Sequence, residues 1–243
     1  MFRHQGKART FMHNLRLAAL LSLVAGLVNI TGVLALQTLT TNVTGHFAYF
    51  AEEFMKKDYS TAITFLLFTL CFLLGSFTSN CLVEWITPKN IRLAHLVPIG
   101  IEIVLLTTVG FFFTTSSIYV LEGKIEAFLL LFAMGIQNSL VTKVSQSTVR
   151  TTHLTGLFTD LGIELSELFF YKKPEQQKKL KTNIYLRLSI ITFFFIGCVL
   201  GGFAYSTIGT KTLYIASAVL VIALFYDYLR LKFYEIKRKA LEL

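Results

Sequence analysis

The sequence predicts an all-α integral membrane protein: six transmembrane helices folded as two inverted three-helix repeats, with interrupted or re-entrant segments after the first and fourth spans. Three observations predict it. The composition is too apolar for water, the uncharged runs have membrane-crossing length with basic residues gathered on one side, and one polar motif occurs twice. Of 243 residues, 54% are hydrophobic and only 15% charged, at a mean hydropathy of +0.62. A soluble domain carries about a quarter of its residues charged. The balance excludes a disordered chain, a small disulfide scaffold and an ordinary soluble enzyme.

A helix needs about 20 mostly apolar residues to cross the hydrocarbon core. Leu17 to Leu36 is the first such run, and no charge follows until Glu52. It is longer than the apolar region of a signal peptide, about 7–15 residues. Thr61 to Val83 is the second run, and Leu93 to Leu121, broken only by Glu102, the third. Ala127 to Thr142 is a short fourth run ending at Lys143. Leu188 to Thr210 is the fifth, and Thr212 to Tyr226, extended to Leu229 if Asp227 sits at the interface, is the sixth.

The basic residues orient these spans. With the N-terminus inside, Arg3, Lys7, Arg9, Arg16, Lys89 and Arg92 fall on the cytoplasmic side. So do Lys172, Lys173, Lys178, Lys179 and Lys181 of a third internal loop, and Arg230, Lys232, Lys237, Arg238 and Lys239 of the tail. The external loops hold only Lys56, Lys57, Lys124 and Lys211. This asymmetry places both termini in the cytoplasm. It also accounts for the net charge of +9 without nucleic acid, so the partners expected are the lipid bilayer and a small-molecule solute. A homo-oligomer is compatible with either.

The repeated motif is Gly-x-x-Asn followed by Thr-x-x-Thr-Gly-x-Phe. The first copy is Gly26…Asn29 with Thr41, Thr44, Gly45 and Phe47; the second is Gly135…Asn138 with Thr152, Thr155, Gly156 and Phe158. Asn and the second Thr are 15 residues apart in one copy and 17 in the other. The halves run over about 15–118 and about 124–232. An odd number of spans per half inverts the second copy. Inverted repeats are common in secondary transporters, whose sites lie near the midplane at the repeat interface. The expected function is therefore a small-solute transporter with a site between the two motifs. The alternatives are a passive channel using the same polar lining and a non-transporting scaffold whose basic loop and tail bind lipid or a partner.

Each polar residue has two readings. Asn29 and Asn138 either hydrogen-bond a solute or hold helices together where Gly26 and Gly135 allow close approach. Thr41, Thr44, Thr152 and Thr155 either contact solute or cap helices. Thr44 and Thr155 are placed as N-caps of short segments, His46 to Phe54 and Leu157 to Phe170. Gly45 and Gly156 serve backbone geometry. If the short segments re-enter the membrane, their N-termini favour an anionic or dipolar solute. Asp160, Glu164 and Glu167 share a face at i, i+4 and i+7.

Glu102 is the deepest carboxylate. It is either a proton-coupling group or a structural lock on Arg150, Lys143 or His95. Arg150 either attracts an anion or anchors the chain in the cytoplasm. Cys71, Cys81 and Cys198 read as apolar fillers, and His46 and His153 have no partner at metal-ligand spacing. No Gly-x-Ser-x-Gly, Walker A, Gly-x-Gly-x-x-Gly or paired-Cys motif is present. No enzyme, cofactor or metal is expected.

The stretches Ala25-Gly26…Asn29…Gly32, Asn42-Val43-Thr44-Gly45-His46, Ala133 to Asn138, and Arg150 to Gly162 resemble the YoaK-like family of bacterial membrane proteins, a family of unknown function. The resemblance covers about Leu17 to Leu229. The family pattern in the first half is Met-Thr-Gly-Asn; Val43 and His46 replace its Met and Asn, so no role of that Asn carries to His46. The resemblance implies a six-helix protein of the bacterial cytoplasmic membrane and supplies no substrate or reaction.

Overall fold

A computed structural model describes residues 11–112, 120–145 and 149–225, except the side chains of Arg92 and of 120–123. All regular elements among them are helical: α1 Phe11–Leu36, α2 Val43–Met55, α3 Tyr59–Ile86, α4 Ile91–Phe112, α5 Val120–Val144, α6 Leu154–Phe170 and α7 Pro174–Ile208. A 3₁₀ turn, Gly209–Lys211, leads into α8, residues 212–225. Among the described residues, five stretches are long and apolar enough to cross a membrane, the last being the 52 residues Pro174–Phe225.

The connections follow turn chemistry. Gln37, at φ 51°, turns the chain out of α1, with its N–H donating to Val33 O at 3.1 Å. Lys57, at φ 63°, ends α2, and Asp58 caps α3 by accepting from Thr61 N–H at 3.1 Å. Gly209, at φ 60°, breaks α7 from α8. Pro174 at the head of α7 loses no helical hydrogen bond there.

Several sequence expectations shift. The third internal loop is helix: α7 starts at Pro174, so Lys178, Lys179 and Lys181 lie on its first turns and only Lys172 and Lys173 remain in the link. Proline at the first helical position and the straight-chain Gln and Lys that follow favour helix over loop. The short helices also start three residues earlier than expected. Asn42 is the N-cap of α2 and His153 that of α6, so Thr44 and Thr155 are helical residues rather than caps. Asn competes better than Thr for the cap. Arg3, Lys7, Arg9, Asp227 and the basic tail from Arg230 lie outside the described residues.

The core is built around α1 and α5. Leu17, Leu21, Val24, Ala25 and Val28 of α1 join Leu130, Ala133, Met134, Leu140 and Val141 of α5 in one buried cluster. α3 and α7 instead present Leu66, Leu67, Leu70, Leu73, Leu74, Phe77, Phe195, Leu200 and Phe203 to the outside. In water each such side chain would forgo about 1.5–3 kcal/mol; a hydrocarbon environment removes that cost. The protein is a multi-pass helical membrane protein.

α1 packs mainly on α7, and α3 on α5. A Cβ added at Gly26 would strike Phe194 O, and one at Gly197 would strike Leu23 O. The other pair does the same: Gly135 lies against Phe72 O and Gly75 against Phe132 O. In both pairs the struck residue stands three positions before the partner glycine. The residues just after the α3 and α7 glycines correspond as well: Ser76 Oγ donates to Gly135 O at 3.1 Å, and Cys198 Sγ to Gly26 O at 3.5 Å.

Candidate functional site

The repeated Asn and Thr meet within each motif. Thr41 Oγ1 donates to Asn29 Oδ1 at 2.9 Å, and Thr152 Oγ1 to Asn138 Oδ1 at 3.0 Å. Each bond ties the segment after a long helix back onto that helix, which fixes where α2 and α6 begin. The two clasps do not share a centre. Gln137, next to Asn138, donates from Nε2 to Leu21 O at 3.0 Å. Asn29 lies eight residues beyond Leu21 on α1, about 12 Å of helix rise.

Three other sequence-chosen residues do come together. Arg150, Gly156 and Asp160 line a cavity of about 410 Å³ with His153, Leu157, Asn183, Leu186 and Arg187. It sits where the chain enters α6 and is walled by α6 and α7. Leu157 and Leu161 anchor the buried face of α6, leaving Asp160 and Arg150 exposed at the cavity.

Arg187 ties α7 to α6 at the cavity. Its Nε donates to Glu164 Oε2 at 2.7 Å, Nη2 to Glu164 Oε1 at 3.1 Å, and Nη1 to Asp160 Oδ2 at 2.8 Å. The paired contact on Glu164 uses the planar fork of the guanidinium. Two carboxylates on one guanidinium leave this cluster formally one negative charge in excess. Arg150, which also lines the cavity, has no ion pair among the described residues. The cavity lining therefore includes the Arg150 guanidinium, the Arg187 guanidinium and a half-exposed carboxylate, Asp160.

The α6 terminus adds donors. In α2 the Asn42 side chain accepts from Gly45 N–H at 3.1 Å. At the matching place in α6 stands His153, whose side chain makes no capping bond. Its ring instead lies against Gly156, where any Cβ would collide with it. One motif copy thus caps its own first turn, and the other leaves that turn facing a cavity.

Glu102 lies elsewhere. It is fully buried on α4, and neither oxygen has a hydrogen-bond partner among the described residues. Lys143 pairs with Glu84 at 2.5 Å and Arg150 lines the cavity, so neither locks Glu102. Thr44 and Thr155 are exposed on their helices, and Gly45 packs against Leu39 and Asn42. His46 is buried between Phe65 and Phe68, its Nε2 2.8 Å from Leu39 O.

Sequence reasoning missed Arg187, Asn183 and the ring of His153. Arg187 had a readable signal: it is the lone charge at the head of an uncharged span, opposite acids spaced i, i+4. Glu167 shares their spacing and stays outside the cluster.

Comparisons with known proteins agree with a membrane protein. The model of a family described as a protein of unknown function (DUF1275) matches residues 17–226. The UPF0700 transmembrane protein YoaK of Bacillus subtilis (strain 168) is 26% identical over 191 residues, covering 76% of this chain and 80% of that protein. No solved structure matches.

Proposed function

Because the chain belongs to the YoaK-like DUF1275 family, whose function is unknown, its activity has to be read from its own geometry, and we propose a small-solute transporter of the bacterial cytoplasmic membrane that takes a carboxylate-bearing, dipolar solute. One observation carries the reading: the cavity at the entry of α6, lined by both Arg150 and Asp160, with an uncapped helix terminus beside them. In this reading Arg150 and the first N–H groups of α6 receive the carboxylate, and Asp160 faces the positive end. Asn183 orients the solute.

The inverted repeat belongs to the same reading. It is supported by the matched glycine contacts of α1 with α7 and α3 with α5, and by the twin Asn–Thr clasps. In this reading the break at Gly209 is the point where the 52-residue stretch turns into a second pass, for six spans with both termini cytoplasmic and α2 and α6 as re-entrant segments. Buried Glu102 is the proton-coupling residue of the cycle. Asn29, Thr41, Asn138 and Thr152 hold the interrupted helices in place.

Thermal unfolding of the purified full-length protein tests the site, since a ligand of the folded state raises the midpoint. Glycine betaine, an amino acid, acetate and choline serve as probes. The two dipolar probes should stabilise the wild type more than acetate, and choline should not. Arg150→Ala should weaken their binding by roughly tenfold to a hundredfold, the loss of a charge-assisted hydrogen bond of about 1.5–3 kcal/mol. Stabilisation by choline alone, or an Arg150→Ala affinity equal to wild type, would sink the proposal. Counter-flow of the bound probe in proteoliposomes distinguishes a transporter from a channel.

A further inference from the structure

We infer that a groove between the start of α1 and the start of α7 binds the phosphate headgroup of an anionic phospholipid. The groove, about 510 Å³, is lined by Phe11 of α1 and by Pro174, Gln177, Lys178, Lys181, Thr182 and Tyr185 of α7. α7 has 35 residues, about 52 Å of helix, against a hydrocarbon core of about 30 Å. Its uncharged part begins at Leu188, so the turns from Pro174 to Thr182 project to headgroup depth. The Phe11 and Tyr185 rings meet there with centroids 6.1 Å apart. An aromatic pair at that depth marks the boundary between acyl chains and water.

Charge selects the occupant. Lys178 and Lys181, one helical turn apart, line the groove and carry no ion pair among the described residues. Lys56, just before α3, instead is neutralised by Glu52 and Glu53 at 2.7 and 2.8 Å. Glu175, on the first turn of α7, does not line the groove. Two unneutralised ammonium groups, the Gln177 amide and an aromatic floor match a phosphodiester with its acyl chains passing along Tyr185. A basic pocket between helices at this depth suits an anionic lipid.

The test measures lipid retained by the full-length protein after exchange into nanodiscs of phosphatidylcholine with a minor share of phosphatidylglycerol. Lys178→Gln/Lys181→Gln should weaken the preference for phosphatidylglycerol roughly thirty-fold, about fivefold per lysine. Lys178→Arg/Lys181→Arg should keep it, and so should Lys211→Gln at the 3₁₀ turn. Equal preference in the Gln variant and wild type would overturn the site. So would full displacement of the lipid by millimolar inorganic phosphate, which would make the groove a free-phosphate site.

Discussion

Arg187 shows how much one side chain decides here. The Glu164 side chain is only 9% exposed and both its oxygens are held by that guanidinium. Removing one partner of a buried pair costs about 3–5 kcal/mol, because the remaining charge is stranded. Arg187→Ala should therefore lower stability by an amount near that range, scaled down because Arg187 is itself 22% exposed. Adding Glu164→Gln should restore part of the loss, and thermal unfolding of the single and double variants measures it. If Arg187→Ala alone unfolds like wild type, the cluster is a surface ion pair and no more. The close-packed glycines behave differently. Gly26→Ala or Gly135→Ala drives a methyl group into backbone of a neighbouring helix, which cannot yield as a side chain can. A loss of about 1–3 kcal/mol or more is expected, with Gly100→Ala, where nothing lies within 4 Å, as the silent control.

At the scale of elements, the sequence displayed what depends on composition and concealed what depends on competition between neighbours. The apolar runs of α1 and α3 were legible because lipid tolerates few charges along a span, whereas the run Leu93–Leu121 joins α4, which ends at Phe112, to the start of α5 at Val120. The start of α7 was not legible, since Lys-rich polar sequence reads equally as loop or as the solvated end of a long helix. Caps were misplaced for a similar reason: Thr44 and Asn42 both suit a cap, and only the path out of α1 decides between them. Among the candidate residues, Arg150, Gly156 and Asp160 were found because they lie in or beside the second copy of the repeated motif. Asn183 and Arg187 come from α7, far along the chain, and nothing local announces that α7 faces α6. The cap of α3 allows a pH test. Hydrogen bonds from Thr61 hold the Asp58 carboxyl below the ordinary value of 3.8. A lowered folded value means the cap stabilises fully at pH above that ordinary value and is lost as pH falls through the folded one. Amide exchange in the first turn of α3 should accelerate in that acid window, and Asp58→Asn, which caps without titrating, should abolish the change.

For the whole molecule, the pairing of α1 with α7 and α3 with α5 matters more than any single contact. If the halves are inverted, the α2–α3 and α6–α7 links lie on opposite faces of the membrane. Lys57→Cys and Lys173→Cys, each in a chain whose Cys71, Cys81 and Cys198 are replaced by Ala, should react with a membrane-impermeant maleimide from opposite sides. Labelling of both from the same side would break the two-fold arrangement and the transport reading with it.

The same cross-pairing sets a timetable for synthesis. The glycine face of α1, complete by residue 36, has no helix to meet until α7 ends at residue 208. At about 5–20 residues per second, the first helix waits roughly ten to thirty seconds beside the insertion machinery with its small-residue seam against lipid. Until then α1 has only the core face it shares with α5, and the α3–α5 glycine pair can close first; truncation anywhere before Gly197 leaves the glycine face of the first helix without its packing partner.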